Sequence, residues 1–199
     1  FKAPTLGSTS VATWPPSGWT SLQNASVDDS AVTVPFPFNF IFSNTTYTSC
    51  FPSSNLYITF GSGSGAYSGL SASNPALPKI MFNAADRSYQ RVAYLSTANY
   101  VRIRFEGGSG TSGTPGSSNV IYECNFFNSS QTSSVPVVEF LMGSNAAIGG
   151  GNSGIYSASA LLTGGTWTPA ANQSYVFTGN STGVTWTVST AYYMAGTGY

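Results

Sequence analysis

The stretch 34–42, VPFPFNFIF, sets Phe36, Phe38, Phe40 and Phe42 at every second position, with Pro35 and Pro37 set among them. A period of two belongs to an extended chain whose side chains alternate between faces; on a helix, same-face positions recur every three to four residues. Four phenylalanines on one side of a strand would expose an apolar patch that a soluble domain rarely carries, so the row is expected to face a core. Each Phe buried there contributes about 1.5–3 kcal/mol. Pro37 has no N–H to donate to a neighbouring strand, which places this segment at a sheet edge or at a bulge.

The same signal recurs along the chain. No stretch sustains helical periodicity for the roughly ten residues a helix needs, whereas short alternating runs bounded by Gly, Pro, Ser and Asn are frequent. Strands are predicted at 32–42, 47–51, 56–60, 79–82, 90–95, 100–106, 119–127, 135–142, 154–157, 174–178 and 184–189. The fold class is therefore all-β: an antiparallel two-sheet sandwich, jelly-roll-like, with long Gly/Ser loops and at most one short helix. A chain of 199 residues suits one such domain, 1–199, with 1–30 as an N-terminal arm or first-strand region. The tracts 61–69 (GSGSGAYSG) and 107–119 lie close between strands and read as loops rather than linkers. The helix candidate is 156–165, YSASALLTGG, where Ser157 or Ser159 would cap a turn and Gly164 would stop it.

Charge narrows the function classes. Charged residues make up 6% of the chain, against about 25% in typical domains, while Ser and Thr supply 54 residues and Gly another 22. The surface must then be built from hydroxyls, amides and backbone. Formal net charge is zero, so the basic field that draws in phosphate backbones is missing and nucleic-acid binding is not expected. No apolar run reaches about 18 residues, and no membrane insertion is expected. Without an initiator Met or a signal-like start, a mature, trimmed or partial chain is expected. Five Asn-x-Ser/Thr sites, at Asn24, Asn44, Asn128, Asn172 and Asn180, are about as many as this composition gives by chance.

The chain has no histidine, so Ser-His-Asp and Cys-His catalysis and ordinary His metal ligation are excluded. Cys50 and Cys124, the only cysteines, are either a disulfide or two buried thiols, and two cysteines without histidine do not make a structural zinc site. The remaining enzyme class is a jelly-roll glycoside hydrolase using two of Glu106, Glu123 and Glu139, since that chemistry needs only two carboxyl groups. Alternation favours another role for them. In YVRIRFE, Arg102, Arg104 and Glu106 share the face opposite Val101, Ile103 and Phe105, and Glu123 stands opposite the Tyr122, Cys124 and Phe126 face, so cross-strand Arg–Glu pairs follow. No catalytic residue and no cofactor is expected. The doublet Asp28–Asp29 is a calcium candidate, with an aspartate-initiated turn as the alternative. Aromatic residues outside clear strand alternation are candidates for stacking on sugar rings: Trp14, Trp19, Tyr67, Tyr89 and Trp167, with Tyr192, Tyr193 and Tyr199 near the C-terminus.

Residues 27–94 resemble the nidogen-like pattern: an acidic doublet (Asp28–Asp29), a Pro-Phe-x-Phe strand, then SNLYITFG (54–61) and NPALP (74–78). The pieces YVRIRFEGGSGTSG, GIYSASALL, NQSYVFTG and the ending GTGY resemble a β-module of tail-fibre and other virion-surface proteins of aquatic bacteriophages and large viruses. The resemblance implies a non-enzymatic structural and adhesive module of an extracellular fibre or virion surface. Its implied partners are other copies of itself, other virion or fibre proteins, and host-surface glycans. A cellular extracellular-matrix or surface-polymer subunit shares the same features and stands as an alternative.

Overall fold

The structure is a computed structural model that describes residues 15–106, 121–143, 151–163, 167, 170 and 173–192. Among these described residues twelve strands alternate with turns: β1 (Thr20–Asp28), β2 (Val34–Phe42), β3 (Thr45–Ser53), β4 (Tyr57–Thr59), β5 (Lys79–Ala84), β6 (Ser88–Ser96), β7 (Tyr100–Glu106), β8 (Ile121–Phe127), β9 (Val137–Met142), β10 (Asn152–Tyr156), β11 (Gln173–Gly179) and β12 (Trp186–Tyr192). They form a seven-stranded sheet in the order β1-β6-β7-β8-β9-β11-β12 and a five-stranded sheet in the order β10-β5-β4-β3-β2. All the pairings are antiparallel. The two-sheet sandwich expected from the alternation is what forms. Within it β2 to β5 and β6 to β9 run as meanders, and the chain changes sheets only at β1–β2, β5–β6, β9–β10 and β10–β11.

The phenylalanine row lies where its period places it. Along β2 the even-numbered residues are buried, while Pro35, Pro37 and Asn39 are exposed. The strand is the edge of the five-stranded sheet, and its ladder to β3 breaks between Pro35 and Phe40, as missing proline N–H groups require. Phe36 and Phe40 meet Phe126 of the facing sheet at 5.1 and 5.2 Å between ring centroids, the second pair edge-on at 87°. Phe42 stacks on Phe60 at 4.3 Å and touches Trp186 at 5.5 Å. Ile103, Phe105, Tyr122, Cys124 and Phe140 complete this core from β7, β8 and β9.

The five-stranded sheet is also covered on its outer side. The loop between β4 and β5 folds back over the five-stranded sheet, and Leu70 packs there against Tyr57, Met81, Ala84 and Tyr156 in a second apolar cluster. Lys79 is buried among the same groups, and its Nζ donates to the carbonyl oxygens of Ala72 at 2.7 Å and Pro75 at 2.9 Å. The tract 61–69 is thus a pinned loop, as read; the tract 107–119 lies outside the described residues.

The segment 156–163 is not a helix. Tyr156 bridges Leu161, Thr163 bridges Trp186, and Ser157 closes a tight turn by accepting from the Ala160 N–H at 3.0 Å. Its cap residue is present, but Leu161 and Leu162 are drawn into strand pairing with β10 and β12 instead of continuing a helical turn. The one helical turn among the described residues is a 3-10 turn at Ser129–Gln131, capped by the Asn128 side chain.

Candidate functional site

The outer face of the seven-stranded sheet carries a buried strip of charge. Adjacent strands put Arg91 opposite Glu106, Arg104 opposite Glu123, and Asn125 opposite Glu139. Arg104 donates through Nε to Glu106 Oε1 at 2.7 Å and through Nη1 to Glu123 Oε1 at 3.1 Å. Arg102 grips the second Glu123 oxygen through both Nε and Nη2. Among the described residues Glu139 takes an amide, from Asn125 Nδ2 at 3.2 Å, and no guanidinium. Glu106, Glu123 and Glu139 are each at most 1% exposed. Burial therefore lifts the Glu139 carboxyl to about 7; the Asn125 bond opposes that shift, the neighbouring Glu123 adds to it, and Arg102 opposes it.

This geometry suits cohesion better than hydrolysis. A glycosidase needs its two carboxyl groups to flank a bound sugar across an open cleft. Here guanidinium groups hold both Glu123 oxygens and Glu106 Oε1, and Glu106 Oε2 lies 3.9 Å from Arg91 Nη1. The ion pairs expected from alternation are present, but they are buried, so removing one partner would strand a charge and cost about 3–5 kcal/mol rather than the fraction typical of an exposed pair.

The other three acids also meet. Carboxylate oxygens of Asp28, Asp29 and Asp86 lie within 4.8 Å of one another, the one such group of three acids, cysteines or histidines among the described residues. Asp28 ends β1, Asp29 turns the chain with φ 49°, and Asp86 comes from the β5–β6 turn. Oxygen-only carboxylates are the donor set a hard cation such as calcium takes. Asp29 serves the turn reading as well, since its Oδ1 accepts from Asn55 Nδ2 at 3.0 Å.

Around this trio the SNLYITFG segment acts as a latch. Asn55 Nδ2 also donates to the Ala66 carbonyl at 3.2 Å, Tyr57 Oη lies 2.9 Å from the carbonyl oxygens of both Ser64 and Ala66, and Thr59 Oγ1 donates to the Ser62 carbonyl at 2.7 Å. Gly65 is required there, because a Cβ would stand 2.1 Å from the Asp29 carbonyl oxygen. The latched loop presents Tyr67, which is 49% exposed.

The other stacking candidates do not stay available. Tyr89 is wholly buried against Phe105 and Tyr122. Trp167 is buried among Phe140, Tyr175 and Phe177. Both are core residues, so the expectation that they contact ligand is corrected. Trp19 is half-buried with its ring over the Arg102 guanidinium at 5.3 Å, a cation–π contact that occupies that face. Trp14, Tyr193 and Tyr199, and the Tyr192 side chain, lie outside the described residues. Cys50 and Cys124 are not bonded: both are free thiols in the core, and burial pushes both well up.

No protein-family model, curated protein or solved structure matches this chain. Asp86 escaped sequence reading because it is a single acid, far along the chain from the doublet it joins. Burial of the charge strip had a signal in β9, where VVEFLM is apolar on both parities, the mark of a strand covered on both faces.

Proposed function

We propose that this chain is a non-enzymatic structural and adhesive module of an extracellular fibre or virion surface, contacting neighbouring subunits and host-surface glycans. The observation that carries the reading is the surface. All six acids belong to the two clusters. Arg87, Arg102, Arg104 and Lys79 are buried, and Asp28, Asp86 and Arg91 are half-buried. Among the described residues Asp29 is the one exposed charged side chain. Such a surface offers hydroxyls, amides and backbone to its partners. Sugars and other neutral proteins match it; polyphosphates do not.

The nidogen-like resemblance of residues 27–94 supports the same reading, and the latched loop gives it a contact point, with Tyr67 as the aromatic face for a sugar ring. The hydrolase alternative is weakened by the ion pairs that hold Glu106 and Glu123. The test is location together with binding: antibody-gold labelling of particles and cell surfaces, and the purified chain on a glycan array. Label on fibres or virions with selective glycan capture supports the reading. Label confined to the cell interior, or release of reducing sugar from a polysaccharide panel, overturns it.

A further inference from the structure

We infer that Glu139 and Asn125 form a neutral acid–amide pair, in which the Glu139 carboxyl donates its proton to Asn125 Oδ1, and that this pair is a proton-held clasp between β8 and β9. The two residues stand opposite each other on the fourth and fifth strands of the seven-stranded sheet. Asn125 is 0% and Glu139 1% exposed. Asn125 Nδ2 donates to Glu139 Oε2 at 3.2 Å. Asn125 Oδ1, on the same amide group, is buried and accepts from no group among the described residues.

Counting donors and acceptors decides the protonation state. An ionised Glu accepts only, whereas a protonated one carries an O–H. A carboxylate at 139 would set three oxygens, two of its own and Asn125 Oδ1, against a single amide NH2. A carboxylic acid supplies the missing donor, and two unmet needs close on each other: a buried O–H requires an acceptor, and the buried Oδ1 requires a donor. Among the described residues no cation bonds Glu139. Arg102, the guanidinium whose charge acts on it, bonds Glu123 through Nε and Nη2 and carries the Trp19 ring over its face. The other groups around Glu139 give it no charge partner either. Glu123, from β8, is a like charge, and Val176, opposite on β11, is apolar. The Cys124 thiol, on the core side of β8, is kept neutral by burial. The strip thus divides into an ionic part, built on Arg102, Arg104, Glu106 and Glu123, and a neutral part at Glu139.

The clasp responds to pH. With the proton in place, two side-chain hydrogen bonds join β8 to β9: Nδ2 to Oε2, and the carboxyl O–H to Oδ1. Loss of the proton removes the second bond and leaves a buried carboxylate beside an amide oxygen and Glu123. Burial lifts the Glu139 carboxyl from its ordinary 4.5 to about 7. The folded value is raised, so the clasp's contribution is fully present below pH 4.5 and is lost as pH rises through 7. It is therefore closed in weakly acid medium and released in alkaline medium, at the centre of the sheet.

Infrared and NMR titration of the isotope-labelled wild type and of Glu139→Gln, from pH 5 to pH 9, tests the inference. Near pH 6 the wild type should show a protonated-carboxyl C=O band that Glu139→Gln lacks, and the band should be gone by pH 9. The Glu139 Cδ and Asn125 Cγ resonances should move together with one midpoint. In Glu139→Gln the Asn125 resonance should stay flat, because the new amide donates to Oδ1 at every pH. Between pH 6 and pH 8, backbone amide exchange in β8 and β9 should accelerate about tenfold more in the wild type than in Glu139→Gln, the linkage expected of one group titrating near 7. Asn125→Leu should move the acid band to higher frequency, since the O–H loses its acceptor. Should that variant fail to fold, the paired titration in the wild type decides. A Glu139 carboxyl already ionised at pH 6 overturns the inference. So does an Asn125 Cγ that stays still while Glu139 titrates, or exchange that rises equally in the wild type and Glu139→Gln.

Discussion

Replacing Glu139 with Gln should make the protein more stable at neutral pH and remove most of its pH dependence there. Burial holds this carboxyl near pH 7 instead of its ordinary 4.5, so the folded state keeps a proton that the unfolded chain releases. Because the folded value is raised, the contribution of this group is fully present below pH 4.5 and is lost as pH rises from 4.5 to 7. The whole shift corresponds to about 3 kcal/mol at 1.36 kcal/mol per unit. Gln at 139 is neutral throughout and can still accept from Asn125 Nδ2. The variant should match the wild type near pH 4.5 and exceed it by up to about 3 kcal/mol at pH 8, a gain of about 2–4 °C in melting temperature per kcal/mol. Urea unfolding at pH 4.5, 6 and 8 reads this directly, helped by the absence of histidine, which would otherwise titrate in the window. An unchanged slope between pH 4.5 and 7 in the variant, or a loss of stability at pH 8, would refute the argument.

Other outcomes follow from the same contacts. Phe40→Ala, which empties a ring from the junction of Phe36, Phe60 and Phe126, should cost about 3–5 kcal/mol in urea unfolding. Tyr57→Phe removes the hydroxyl held by two loop carbonyls and should cost about 1–2 kcal/mol, with faster proteolytic cleavage inside 61–69 as its signature. Tyr67→Ala should leave stability within about 0.5 kcal/mol, as an exposed substitution, and abolish whatever glycan capture the wild type shows. Asp86→Asn relieves one of three close like charges and should raise the melting temperature slightly in chelator; a reversal of that order in millimolar calcium would assign ion binding to the trio.

Much of the fold was legible because it depends on local pattern. The β2 row, the edge position implied by Pro37, and the full extent of β7 all follow from period two and proline chemistry. What could not be read depends on what the chain folds onto itself. Tyr89 and Trp167 looked like free aromatics because they stand outside clear strand alternation in the sequence, and only packing shows that both face the core. The 156–165 segment has a real cap, and strand edges at β10 and β12 compete for it and win. The candidate site was half visible. Asp28 and Asp29 are adjacent in sequence, while Asp86 and Asn55 join them only through the β5–β6 and β3–β4 turns.

The withdrawal of charge has a consequence beyond partner choice. Ions weaken contacts between charged surfaces within a Debye length of about 10 Å at 0.1 M salt and about 3 Å at 1 M. With Asp29 as the one exposed charge among the described residues, there is almost nothing for them to weaken. Attachment made through this surface should hold equally in dilute buffer and in brine.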